Sequence, residues 1–306
     1  MNLAALKYRN ILKDSQSPIQ KIIYSKHPDY DGHNYFALLK DNFGSSSDEL
    51  NLYASNGGSG TCFHSKFNAY NKAISEALES WAYYEVKKSK FLFEKLGFTI
   101  DPTSSGMACF PGLVAKNSRT YAFKEAVERW SIVAWWEGKL EFRKNHLSDS
   151  NMLIVELETP WKNLSTVILK SKSLKNHKPI YAFATSCDLN SSIEKAKVEL
   201  FRNSRVVDQY YSSENKVELK SLMEKRLIYF STNEGENLFL NKVNQTLNQR
   251  SANDLITYKA PEQLPRLLID TRIPGPWDKF GYVWRCLFEP VSLSYLDEKI
   301  VDYFYF

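Results

Sequence analysis

Apolar positions recur every three or four residues in three stretches of this chain, and cluster in short runs elsewhere. From Ser65 to about Lys88, Phe67, Tyr70, Ile74, Ala77, Leu78 and Trp81 fall on one stripe, which predicts an amphipathic helix. A second helix is expected from about Arg119 to Trp136, and a third from about Ser191 to Tyr211. The runs "NMLIVELET" (151–159), "STVILKS" (165–171) and "KPIYAFATSCD" (178–188) are short and rich in β-branched or aromatic residues, so they read as strands. "RLLID" (266–270) and "GYVWRCLFEPV" (281–291) read likewise, and residues 218–256 read as helix and loop. Residues 1–60 read as irregular, with Pro18, Pro28, "DNFGSSSDEL" (41–50) and the glycine loop "NGGSG" (56–60). "GFTIDPTSSGMACFPG" (97–112) breaks the pattern with proline and glycine. Strands and helices mix without strict alternation, which points to the α+β class with mixed sheets.

The first two helices share a text. "AISEALESW" (73–81) returns as "AFKEAVERW" (122–130), 49 positions later, and the apolar positions stay apolar where they change. Ile74, Ala77, Leu78 and Trp81 form one stripe of the first copy; Phe123, Ala126, Val127 and Trp130 form it in the second. Glu76 and Glu79, and then Glu125 and Glu128, lie opposite that stripe as i, i+3 pairs. A fainter third copy, "AKVELFRNS" (196–204), keeps Ala196 and Glu199 and puts Arg202 where the others have a second glutamate. "GSGTCF", "SGMACF" and "FATSCD" precede the three helices, so Cys62, Cys109 and Cys187 stand 14, 16 and 12 residues before Glu76, Glu125 and Glu199. An internally repeated strand–turn–helix unit follows.

Two glutamates opposite an apolar stripe are ordinarily a solvated helix face, and a cysteine in a small-residue turn is ordinarily a small buried hydrophobe. Recurrence at one register argues for more. Four carboxylates brought together repel, raise one another's pKa values and need cations. Hard oxygen ligands without His or Cys suit Mg²⁺ or Ca²⁺. Mg²⁺ ordinarily arrives with phosphates, which the forks of Arg129 and Arg202 would suit. The residues therefore suggest a Mg²⁺–nucleotide site on repeated helices, without a Walker loop. No catalytic role is expected for the three cysteines.

Composition excludes several alternatives. An apolar fraction of 43% is ordinary for a globular protein and allows a sizeable core in 306 residues. The net charge of +5 is mild for this length and suits an anionic small ligand or an acidic partner; with no dense basic stripe, nucleic acid is not expected. The four cysteines form no C-x-x-C pair and no zinc spacing, the five histidines are scattered, and the N-terminal "MNLAALKYRNILKDS" is too short in apolar residues for a signal peptide. No run of about 18 apolar residues suggests a membrane helix. A cytoplasmic protein is expected.

"GSGTCFHSKFNAYNKAISEALESW" followed by "SSGMACFPGLVAKNSRTYAFKEAVERW" resembles the YcaO family, with "EAVER" (125–129) the strongest match. The resemblance spans about residues 54–211, and "GYVWRCLFEPV" is similar to a late strand of such domains. It implies a single YcaO-like domain over 1–306, with core motifs in 54–211 and C-terminal strands in 264–306. It also implies binding of ATP and Mg²⁺, with Glu76, Glu79, Glu125 and Glu128 on the metal ions. Arg129, Arg202 and Glu199 would complete the cofactor site. The implied activity is ATP-dependent activation of a backbone amide in a ribosomally made peptide, such as a bacteriocin precursor. Attack by a Cys, Ser or Thr side chain would give an azoline by cyclodehydration; sulfide would give a thioamide and an amine an amidine. A separate protein that delivers the peptide, ubiquitin-activating-like or TfuA-like, is implied, and a homodimer is left open.

The chain departs from that pattern in places. Ser80 follows Glu79 where many members have arginine, and Leu113 and Asn117 stand roughly where an Asn and a further Glu are expected. The ending "VDYFYF" differs from the Pro-rich tail of many azoline-forming members. These departures motivate a second reading, a catalytically degenerate scaffold or peptide-binding subunit of a synthetase complex. A third is an internally repeated α+β protein whose glutamates are only solvated.

Overall fold

A computed structural model describes residues 7–26, 32–40, 56–112, 115–147, 152–213, 219, 221–252 and 264–304. "DNFGSSSDEL" (41–50), Leu113, Tyr305 and Phe306 lie outside them. The chain divides into two compact units, residues 1–126 with 267–288, and 127–266 with 289–306.

The first unit opens with a three-stranded meander: β1 (Ile19–Lys26), β2 (His33–Leu39) and β3 (Gly57–Cys62). These strands fall where the sequence reads as irregular. The "glycine loop" is strand β3, because a helix lies directly on it. A Cβ added at Gly58 would collide with the backbone of Ala73, Glu76 and Ala77, and one at Gly60 with that of Ala69 and Ala73. Glycine here removes the side-chain layer that ordinarily separates helix from sheet. That helix, α1 (Lys66–Lys87), begins where its periodicity predicts, with Ser65 as N-cap accepting the Asn68 N–H at 3.1 Å. After the short α2 (Lys90–Lys95) comes β4 (Met107–Phe110), in the stretch read as a break. β4 pairs with β10 (Tyr282–Phe288), which pairs with β9 (Leu267–Ile273).

A buried arginine fastens this second sheet. Arg285 on β10 is fully buried and donates to the carbonyls of Leu96, Asp101, Thr103 and Ser105. Its guanidinium lies 3.7 Å from the Phe98 ring centroid. The charge is met by carbonyl dipoles and a ring face.

Helix α3 (Lys116–Trp136) carries the boundary between the units, at Ala126 and Val127. In the second unit β5 (Phe142–Leu147), β6 (Leu153–Leu157), β7 (Ser165–Lys172) and β8 (Pro179–Ser186) form a meander. The long α4 (Leu189–Ser212) packs on β7 and β8, capped by Asp188, which accepts the Ser191 N–H at 2.8 Å. α5 (Leu222–Phe230) opens with a Ser221–Glu224 capping box, and α6 (Asn233–Ala252) follows. Arg226 is fully buried and donates to the carbonyls of Tyr295, Asp297 and Ile300, which fixes the segment leading to Tyr303 and Phe304 in an aromatic core.

Every described strand pairing is antiparallel, so the expectation of mixed sheets is corrected. The two meanders pair strands that are consecutive in the chain, and such neighbours meet antiparallel. No described helix is long and apolar enough to cross a membrane.

Candidate active site

The repeated glutamates do not occupy solvated faces. Ile74, Ala77, Leu78 and Trp81 are buried as the stripe predicts, but so are Ala69, Ala73, Ala82, Tyr83, Tyr84 and Val86. Because β3 and β4 cover α1 as well, its polar residues meet strand backbone. Glu76 accepts from Ser59 twice at Oε2, from N at 3.0 Å and from Oγ at 3.3 Å. Lys72 Nζ stands 3.9 Å from its other oxygen. Glu79 accepts the Cys109 N–H of β4 at 2.7 Å. Ser80 donates to the Gly57 carbonyl at 2.9 Å, so the residue that replaces arginine ties α1 to β3.

Glu79 is closely surrounded by protein while part of its surface stays open. Burial pushes its carboxyl well above the usual carboxylate range, and the Glu125 carboxylate on α3 pushes further the same way. The Cys109 N–H opposes them, and Glu76 adds a smaller upward push. Three of the repeated glutamates therefore share one electrostatic neighbourhood in the first unit.

Glu128, Arg129, Glu199 and Arg202 lie in the second unit. Glu128, nearly buried at 9% exposure, accepts the Thr185 N–H of β8 at 2.7 Å and pairs with Lys195 of α4 at 3.0 Å. Arg129 follows it, half-buried. Glu199 and Arg202 pair with each other at 2.7 Å along α4. Asn117 is exposed in the first turn of α3.

Each cysteine before a repeated helix sits at or just past a strand end. Cys62 ends β3, Cys109 lies in β4 and Cys187 follows β8. Cys109 is buried, and burial followed by the Glu79 charge pushes its thiol up. That environment disfavours a thiolate nucleophile. Below it lies Tyr8, whose hydroxyl is 2.9 Å from Ser75 Oγ and 3.8 Å from Cys109 Sγ. Burial pushes this phenol well above its usual range.

The donor set suits a hard cation: carboxylate oxygens dominate and no imidazole or thiolate joins them. Among the described residues no group of three or more His, Cys, Asp or Glu is arranged to hold a metal ion by itself. Mg²⁺ is ordinarily held by one or two carboxylates, with phosphates and water completing its shell.

Comparison of the whole fold finds a known architecture. The chain superimposes on YcaO from Methanopyrus kandleri, solved bound with AMPPCP and Mg²⁺, with a TM-score of 0.58. The match covers 97% of this chain and 92% of the other at 13% identity. This chain has the YcaO-like fold. A heterocyclase solved in complex with substrate and cofactor matches at a TM-score of 0.50 and 12% identity, over 93% of this chain. The YcaO-like chain spans about half of that protein, 51% of its length. No protein-family model matches the sequence, and a search of curated proteins finds no match. At such identity these two comparisons show the fold alone.

Sequence reasoning missed Ser59, Thr185, Lys195 and the Cys109 amide. Three of these act at glutamates through backbone N–H groups, which no residue type encodes. Alternating glycines at 58 and 60 were the available signal for a helix resting on a strand at that point.

Proposed function

We propose that this chain is an ATP- and Mg²⁺-dependent enzyme that activates a backbone amide of a ribosomally made peptide, with azoline-forming cyclodehydration as the reaction. The observation that carries the reading is the carboxylate neighbourhood of Glu76, Glu79 and Glu125. Burying a carboxyl beside another carboxylate is unfavourable unless a cation offsets it or a proton is retained. Glu79 is held in this way beside Glu125 and Glu76, which supports a cation-binding role. The YcaO neighbour's AMPPCP and Mg²⁺ support the same ligand here. The heterocyclase's substrate complex supports a peptide substrate.

When bound, Mg²⁺–ATP supplies a transferable phosphoryl group that turns an amide oxygen into a leaving group. The chain's own part is positioning and charge neutralisation. Glu76 and Glu79 are aimed by the Ser59 and Cys109 amides, and Glu125 by its place on α3. For cyclodehydration the net change is loss of one water from the peptide, with ATP cleaved to ADP and phosphate. A thioamide or amidine would follow from the same activation with a different nucleophile. A separate peptide-delivering partner belongs to this reading.

One observation favours the second reading, a degenerate scaffold or peptide-binding subunit. Glu128 is engaged by Lys195 and Arg202 by Glu199, so residues expected on metal and phosphate already have protein partners. Calorimetric titration separates the two. The enzyme reading expects saturable ATP binding that requires Mg²⁺ and is lost in the Glu76→Gln, Glu125→Gln double variant. No binding by the wild type would overturn it and leave the scaffold.

A further inference from the structure

The N-terminal stretch, irregular as a sequence, sends a tyrosine into the core of the first unit. Tyr8 is fully buried, and Ile11, whose N–H donates to the Tyr8 carbonyl at 3.1 Å, is buried in the same cluster. The Tyr8 hydroxyl meets α1 and β4 at once, 2.9 Å from Ser75 Oγ and 3.8 Å from Cys109 Sγ.

Both partners adjoin the candidate cation ligands. Ser75 precedes Glu76 and lies one turn of α1 before Glu79. Cys109 is the residue whose N–H holds Glu79 at 2.7 Å. The Tyr8 hydroxyl and the Glu79–Cys109 bond therefore cross-link the same helix to the same strand, at points about 6 Å apart along α1. The residue before β10 closes on the same place. A Cβ at Gly281 would stand 2.8 Å from Cys109 Sγ and 3.3 Å from the Tyr8 hydroxyl, so a side chain there would displace Cys109. Burial keeps the phenol protonated, and the Cys109 and Glu79 charges push the same way. It can therefore donate to one neighbour while accepting from the other. A ligand carboxylate is only as well placed as the group that orients it. The Cys109 N–H orients Glu79, and the Tyr8 hydroxyl holds Cys109 against α1.

We propose that Tyr8 is a positioning residue for the Mg²⁺–nucleotide site, its hydroxyl fixing β4 against α1 and so aiming the Cys109 amide at Glu79. This rests on the enzyme reading above and adds to that site a residue from outside the repeated helices.

The test is calorimetric titration of the full chain with Mg²⁺–ATP, with the Mg²⁺ midpoint at fixed ATP and the ligand-free melting temperature as further readouts. Tyr8→Phe removes the hydroxyl and keeps the ring. It is expected to bind Mg²⁺–ATP about tenfold more weakly and to need about tenfold more Mg²⁺. Ser75→Ala removes the α1 partner and should weaken binding in the same direction, with little further loss when the two are combined. Tyr211→Phe is the control, since its hydroxyl lies 3.1 Å from Ser231 Oγ in the second unit. It should lower the ligand-free melting temperature and still bind within about twofold of the wild type. A role that is only structural would lower the melting temperature of Tyr8→Phe and leave its Mg²⁺ midpoint in place. That result, or an affinity loss no larger than that of Tyr211→Phe, would overturn the positioning role. If Tyr8→Phe does not fold, Ser75→Ala decides by the same criterion. No Mg²⁺–ATP binding by the wild type would instead remove the enzyme reading, and this role with it.

Discussion

Glu79 and Glu128 occupy the same position of the repeated nine-residue text, yet their surroundings differ in kind. Glu79 in the first unit is closely surrounded, accepts one amide N–H, and is pushed above the usual carboxylate range by desolvation and by the Glu125 carboxylate. Glu128 in the second accepts an amide N–H too, but an ammonium completes its shell. The backbone contact is therefore the shared structural element, since each helix offers this glutamate to the amide of a neighbouring strand. What differs is the counter-charge. Where Lys195 supplies it, the carboxylate is a settled part of the fold. Where another carboxylate stands instead, the carboxyl is pushed toward its protonated form.

The comparison breaks most visibly if Glu128 is truncated. Glu128→Ala removes the acceptor of the buried Thr185 N–H and one partner of Lys195, so a loss of about 2–3 kcal/mol is expected in denaturant unfolding. Glu128→Gln keeps an acceptor for Thr185 and should lose only about 1 kcal/mol. A loss no larger for alanine than for glutamine would show that the amide contact does not matter.

Glu79→Gln should act in the opposite direction. Its folded pKa is raised, so the folded state favours the protonated form. Stability is therefore lost as pH rises from the ordinary Glu value, about 4.3, through the raised folded value. The variant does not ionise and keeps its acceptor for the Cys109 amide. It should melt about 2 °C or more above the wild type at pH 7.5, and the gain should fade below about pH 4. A gain that persists in acid would mean that ionisation of Glu79 is not its source.

The smallest effect belongs to the third copy. Glu199 and Arg202 are both partly exposed, and an i, i+3 pair on a helix surface contributes about 0.5 kcal/mol or less. Glu199→Gln should therefore leave the melting temperature of the ligand-free protein within about 1 °C. A larger drop would show that α4 depends on this pair.

Much of this difference was hidden in the sequence for physical reasons. The amphipathic stripes located α1, α3 and α4, and Ser65 marked a helix start, because periodicity and capping are local. The Glu pairs were legible as a repeat. Their faces were not, since β3 reads as a glycine loop until the helix lying on Gly58 and Gly60 is known. β1 and β2 escaped because exposed Ile23 and Phe36 share the outer face with Lys21 while Tyr24 and Lys26 stand exposed on the other, which blurs the alternation. The partner of Glu128 escaped because Lys195 belongs to another helix, 67 residues away.

The most direct measurement is a thermal melt of wild type and Glu79→Gln, each with and without Mg²⁺–ATP at pH 7.5. A carboxylate neighbourhood waiting for a cation predicts that the wild type melts lower than the variant when empty and rises by several degrees with the ligand. The variant should start higher and gain little. Equal gains in both proteins, or a variant less stable than the wild type in the absence of ligand, would contradict it.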